Sequence, residues 1–288
     1  MRIVLLACGL LLAGCAGGSP ATPSVAPCDP GPPGTRQVTL GQRSFLLHVP
    51  RDVRNPAPAV VTLHGRGSNA QEQLLLTNFE QLSEEGRFLV IAPNAIGGRW
   101  DLTGPKDFAF IDAVLEAVPC LDRSRVYASG MSMGSAMTFA LACAPQRQFA
   151  AFGGVALTGY RPVCNSAPPA PIIYFHGTAD PIVPFRGGVP QGETVTVQPV
   201  PRAMRQWAAH NQCTQDAVAR DQDVTQREWT SCADNADVDY YRVRGGGHTW
   251  PGAQPFIADA IEQALGKTTQ TVDASRLMWQ FFEGYSLD

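Results

Sequence analysis

Short runs rich in apolar residues recur along this 288-residue chain, separated by segments of helical spacing. The runs are AVVTLHG (59–65), FLVIAP (88–93), RVYASG (125–130), FGGVALTG (152–159) and PIIYFHG (171–177). Short strands read this way when both of their sides are buried, because neither face then needs polar residues. Residues 70–84, 108–118 and 133–143 carry helical spacing between them. Strands that alternate with helices predict a mostly parallel central sheet with helices on both faces. VTLGQRSFLLHVP (38–50) adds two strands joined at Gly41-Gln42, DVDYYRVRG (237–245) a last strand, and VDASRLMWQFFEGY (272–285) a helix capped near Asp273. One α/β domain over residues 36–288 is expected, acting as a monomer.

The first 35 residues have a different composition. Arg2 precedes the apolar run Ile3 to Ala13, which is too short to span a bilayer but suits the core of a signal peptide. The run ends in Leu12-Ala13-Gly14-Cys15, which resembles the lipobox of bacterial lipoproteins. That resemblance implies cleavage after residue 14 and a lipid on the Cys15 thiol, hence a membrane anchor. Ordinary secretion, with Cys15 incidental, is the alternative. Residues 15–35 are rich in Gly, Pro, Ser and Ala and read as a flexible tether.

Beyond Cys8 and Cys15 the chain has six cysteines, an even set suited to an oxidising compartment. Cys213 and Cys232 bracket one polar excursion and are expected to pair. Cys143–Cys164 comes next, which leaves Cys28–Cys120. No CxxC spacing occurs, so no metal is expected. A net charge of −3 and no basic cluster give no reason to expect a nucleic-acid partner.

Gly130-Met131-Ser132-Met133-Gly134 has the form G-x-S-x-G between a strand and a helix. A nucleophilic serine needs such a sharp turn, which exposes its Oγ, and glycine leaves room for the neighbouring backbone. A serine hydroxyl also needs a base, and the base needs a carboxylate to orient it. Among five histidines, His248 in the glycine-rich loop RGGGHTWPG after the last strand suits the base. His48, His64 and His176 suit structural roles, and His210 lies on a helix. Asp180 in HGTADPIVPF follows a strand end and lies between serine and histidine in the chain, as the acid should. Asp112 and Asp122 precede the serine, while Asp234, Asp237 and Asp239 belong beside the last strand. The oxyanion donors are expected to be the N–H groups of Met133 and Arg66, with Gly67 as second choice for the latter. Trp100, Trp250 and Phe185 are candidates for an aromatic substrate pocket, with plain core packing as the alternative.

LHGRGSN, RVYASGMSMG, HGTADPIVP, GGGHTWPG and the later FFEGY resemble the secreted α/β-hydrolase esterases grouped with polyhydroxybutyrate depolymerases, feruloyl esterases and acetylxylan esterases, especially an actinobacterial lipoprotein branch. The resemblance spans roughly residues 36–284. It implies the α/β-hydrolase fold, hydrolysis of carboxylic esters without a cofactor, and Ser132, Asp180 and His248 as the triad. Three positions depart from the family pattern: Met133 and Ser135 stand where relatives often carry Asn and Gly, and Asn94 where they often carry Asp. Polyesters, acylated polysaccharides and short-chain esters are the expected substrates. A serine peptidase or acyltransferase of the same fold, or a catalytically silent surface binding protein, are the alternatives.

Overall fold

The computed structural model describes residues 28–145, 148–160 and 166–287. The leader over residues 1–14, the proposed lipid site Cys15 and most of the tether lie outside them, as does Cys164, the expected partner of Cys143. The strands in chain order are β1 (Gly34–Leu40), β2 (Arg43–Val49), β3 (Ala57–Leu63), β4 (Leu89–Pro93), β5 (Leu121–Met131), β6 (Ala151–Val155), β7 (Ile172–Gly177), β8 (Gln215–Asp221), β9 (Val224–Thr230) and β10 (Val238–Val243). They form one sheet in the order β1-β2-β4-β3-β5-β6-β7-β10-β9-β8. The six strands from β4 to β10 run parallel, and an antiparallel hairpin flanks each end. The mostly parallel sheet read from the sequence is therefore present.

Side chains alternate across each strand, so every central strand feeds two cores. Val61 and Leu63 of β3 join one core with helices α3 (Pro105–Ala117), α4 (Met133–Ala142) and α5 (Val200–His210). Val60 points the other way, into a core with α1 (Ala70–Thr77), α2 (Phe79–Gly86) and α7 (Ala274–Phe282). Another helix, α6 (Pro255–Leu265), follows the loop that carries His248. α7 starts at Asp273, whose side chain accepts the Arg276 N–H at 3.1 Å, as its sequence position suggests.

Two elements differ from the sequence reading. The single helix expected over 70–84 is two, because Asn78 adopts φ 53° and its N–H closes α1 on Leu74 O at 2.9 Å. Asparagine tolerates this left-handed conformation, and the turn delivers fully buried Phe79 to the core. The polar excursion between Cys213 and Cys232 is the β8–β9 hairpin. Every residue of β8 is exposed, so the strand carries no alternating apolar signal. Cys213–Cys232 and Cys28–Cys120 are both disulfide-bonded, as paired from the sequence.

One aspartate in this frame resists ionisation. Asp239 on β10 lies opposite Glu228, takes hydrogen bonds from Gln226 Nε2 at 3.1 and 3.2 Å, and is buried. Burial raises its pKa from 3.8 to about 7, with the Glu228 charge adding to the effect. A carboxyl whose folded pKa is raised supplies stability below its unfolded pKa, and that stability is lost as pH climbs through the folded value. Asp239→Asn should therefore match the wild type in thermal unfolding near pH 4. At pH 8 it should be more stable by about 2 to 4 kcal/mol. A constant difference across that range would show that the Asp239 carboxyl titrates normally.

Candidate active site

Ser132 joins β5 to α4 with φ 54° and ψ −118°. A non-glycine residue held there costs on the order of 1–3 kcal/mol, so the surrounding bonds must enforce it. They do: the Ser132 N–H donates to Val155 O at 2.8 Å on β6, and its carbonyl accepts the Ala136 N–H at 3.0 Å to start α4. Gly134 does not have a positive φ. It is glycine because any Cβ there would overlap the backbone of Leu63 at the end of β3. The Ser135 hydroxyl is fully buried and donates to Leu157 O at 2.7 Å, so the departure at this position is absorbed by a hydrogen bond.

Asp180 follows β7, and its side chain is wholly shielded from solvent. Its Oδ1 accepts the N–H groups of Ile182 and Val183, both at 2.8 Å. Its Oδ2 lies 2.8 Å from Nδ1 of His248. A carboxylate only accepts, so His248 carries its proton on Nδ1 and presents Nε2 with a free lone pair. The loop after β10 is held rigidly, since the His248 N–H donates to Leu265 O at 2.6 Å and the Gly247 N–H to Lys267 O at 2.9 Å. A Cβ on Gly247 would collide with the Leu265 carbonyl, so close packing fixes this loop.

His176 also approaches Asp180, with Nε2 at 3.5 Å from Oδ2. Both of its nitrogens are engaged: Nε2 donates to Val183 O at 3.1 Å, and Nδ1 accepts the Tyr174 hydroxyl at 2.6 Å. Burial lowers its pKa to about 4, which keeps the ring neutral. His64 is equally satisfied, with Nδ1 donating to Gly65 O at 2.8 Å and Nε2 accepting the Ala95 N–H at 3.0 Å. His48 contacts Thr35 Oγ1 at 2.8 Å, and His210 packs edge-on against Trp207. His48 also lies 3.6 Å from the carboxylates of Glu80 and Glu84, but among the described residues His248 alone has a carboxylate at hydrogen-bond distance on one nitrogen and no hydrogen bond on the other.

Met133 opens α4, and the first N–H groups of a helix have no partner inside it. The loop after β3 runs alongside the serine: an ideal Cβ on Gly65 would lie 3.5 Å from that of Ser132. Gly67 is ruled out as an oxyanion donor in this arrangement, because its N–H donates to Gly98 O at 2.8 Å. The Arg66 N–H has no backbone acceptor among the described residues. Asn94, the third departure, pins this region: its Oδ1 accepts the Ala70 N–H at 2.8 Å, and its Nδ2 donates to Ser44 Oγ at 3.2 Å.

A cavity of about 1030 Å³ opens beside the elbow, with Met133 in its wall. Trp100, Leu102, Phe108, Phe139, Tyr160 and Trp207 supply much of its apolar lining. Trp100 is held by a bond from Nε1 to His64 O at 2.9 Å. Trp250 is not in the cavity. It is 1% exposed, packs edge-on against Phe79 and donates from Nε1 to Ser275 Oγ at 3.0 Å, so it is core despite standing two residues from His248. Phe185 likewise packs on the core and against His176, outside the cavity wall. Tyr160, Trp207 and Glu193 are additional wall residues that no local sequence signal marks, since they come from two loops and the helix α5. Among the described residues no group of His, Cys, Asp and Glu is arranged to hold a metal ion, and no helix is long and apolar enough to cross a membrane.

No protein-family model matches the chain. In sequence it is homologous to fungal feruloyl esterases. It is 33% identical over 169 residues to a probable feruloyl esterase C of Aspergillus niger, covering 54% of this chain and 61% of the relative. It is 31% identical over 166 residues to feruloyl esterase C of Emericella nidulans, with the same 54% and 61% coverage. A bifunctional acetylxylan esterase/xylanase of Neocallimastix patriciarum is 22% identical over 219 residues, 72% of this chain and 31% of that protein. The chain thus spans about three fifths of the length of the feruloyl esterases it matches. In structure it is similar to an acetyl xylan esterase from Aspergillus awamori, with a TM-score of 0.56 at 17% identity over 80% of this chain and 98% of that one. A thermostable esterase superposes with a TM-score of 0.52 at 16% identity, over 88% of this chain and 63% of that one. These likenesses identify the α/β-hydrolase fold.

Proposed function

We propose that this homologue of the feruloyl esterases is a serine carboxylic ester hydrolase whose triad is Ser132, His248 and Asp180. Ser132 Oγ attacks the ester carbonyl while His248 Nε2 takes its proton, and Asp180 holds the imidazole in the required tautomer. The N–H groups of Met133 and Arg66 receive the charge that develops on the carbonyl oxygen. His248 then returns its proton to the leaving alcohol. Water, deprotonated by the same nitrogen, releases the acid from the acyl-enzyme. The observation that carries this reading is the 2.8 Å Asp180–His248 bond on a molecule that also holds Ser132 in a strained strand-to-helix turn.

The cavity beside Met133 is far larger than an acetyl group and is lined by aromatic side chains, which favours bulky or aromatic acyl groups. Esters of aromatic acids on polysaccharides fit this lining, as do polyester segments. The expected result is turnover of p-nitrophenyl octanoate and methyl ferulate with kcat/KM at least equal to that for p-nitrophenyl acetate. A protein that cleaves none of these esters and takes up no fluorophosphonate would sink the assignment. The reading also places the enzyme outside the cytoplasm, anchored through lipid on Cys15. The two disulfides fit an oxidising compartment, and the lipobox-like Leu12-Ala13-Gly14-Cys15 supports the anchor.

A further inference from the structure

The segment between Asp180 and α5 lies along the rim of the cavity and is fixed at its base. Asp180 Oδ1 holds the Ile182 and Val183 N–H groups, and the Gln191 N–H donates to Ile182 O at 2.8 Å. Gly188 and Val197 exchange backbone bonds of 3.0 and 2.8 Å, while Val183 and Val197 pack with Ala136 of the elbow helix. The outer turn of this strap reaches the loop after β3. There the Arg66 guanidinium donates from Nη1 to Gly192 O at 3.0 Å and to Glu193 Oε1 at 2.7 Å, and from Nη2 to Gln191 O at 3.0 Å. Glu193 also takes Arg99 Nη2, at 3.3 Å from Oε2. Its side chain is 10% exposed, against 37% for Arg66.

One carboxylate thereby joins three loops. Arg66 stands on the loop after β3 and Arg99 on the loop after β4, and these two loops already touch through the Gly67 N–H to Gly98 O bond. The Ser68 N–H donates to Gly65 O at 3.2 Å and closes a turn over Arg66 and Gly67, whose solvent side is otherwise open. Gly67 has φ 76°, and a Cβ there would meet nothing. An ion pair with its arginine open to solvent contributes about 0–1 kcal/mol to folding, so stability alone gives the arrangement little purpose. Alignment of an oxyanion donor is different, since losing one donor costs about 100- to 1,000-fold in rate.

We infer that Glu193 is a positioning residue that holds the Arg66 backbone N–H on the oxyanion through the Arg66 side chain. This rests on the assignment of Arg66 as a donor in the proposed mechanism. Glu193→Ala should lower kcat for p-nitrophenyl butyrate about tenfold per active site titrated with fluorophosphonate, a partial loss of the donor's contribution. KM should stay within about twofold and Tm within about 2 °C, as the weak pair allows. Arg66→Ala, which keeps the N–H but also removes the side-chain bonds to Gln191 O and Gly192 O, should give a loss at least as large. The double variant should be no worse than Arg66→Ala alone, because Glu193 acts only through that side chain. Unchanged kcat per titrated site, or losses that add in the double variant or follow a fall in Tm, would overturn the inference while leaving the esterase reading intact. A wild type that hydrolyses no ester would overturn both.

Discussion

Ser132→Ala is expected to lower hydrolysis of p-nitrophenyl butyrate by a factor on the order of 10,000 to 1,000,000, the loss typical of a missing serine nucleophile. Labelling by fluorophosphonate should vanish with it. The fold should be unaffected, because alanine keeps the Cβ and therefore keeps the same strained φ of 54° at the turn. The backbone bonds from Ser132 to Val155 and Ala136 do not involve the side chain either. Thermal unfolding matching the wild type, combined with lost activity, would place the effect on chemistry alone. Residual activity above about one per cent would be incompatible with Ser132 as nucleophile.

Asp180→Asn should cost about ten-thousandfold in kcat, for a reason written in the hydrogen bonds. Oδ1 of Asp180 accepts two backbone N–H groups, at 2.8 Å each. An asparagine must keep its carbonyl oxygen there, since its amide nitrogen would meet two donors. The amide nitrogen is thus forced toward His248, where it can only donate. Nδ1 of His248 must then become the acceptor, and its proton moves to Nε2, the atom that has to take the serine proton. The substituted site holds the wrong tautomer in nearly unchanged geometry. Turnover within tenfold of the wild type would show that His248 does not depend on this carboxylate and would remove Asp180 from the mechanism.

The parts of the site that were legible in the sequence share a physical cause. Ser132, Asp180 and His248 lie one, three and five residues beyond the ends of parallel strands, in loops whose glycines are fixed by close packing or that carry prolines, so local sequence records them. The strands themselves are legible because both faces of the central sheet are covered. Side-chain direction was not legible. Trp250 stands two residues from His248, yet its ring turns inward to Phe79 and Ser275, because fixing a loop's backbone says nothing about which core its side chains enter. The second-choice donor Gly67 fails for a similar reason. Its N–H is claimed by Gly98, a partner 31 residues away that only the folded loops bring near. The cavity wall is the extreme case: Trp100 is a candidate from the sequence, but Tyr160, Glu193 and Trp207 come from distant stretches with no shared pattern.

The Cys28–Cys120 bond gives the molecule a defined top and bottom. Cys120 directly precedes β5, and its carbonyl accepts the Ala57 N–H at 2.7 Å at the start of β3. The bond therefore sits where the parallel strands begin, whereas Ser132, Asp180 and His248 follow the points where they end. The two poles are separated by the length of a strand, on the order of 20 Å. The described chain therefore enters the domain at the lower pole. A lipid on Cys15, as proposed, would then hold the domain from the pole remote from Ser132, Asp180 and His248. The end of the sheet that carries these three residues is thereby left clear of the attachment point.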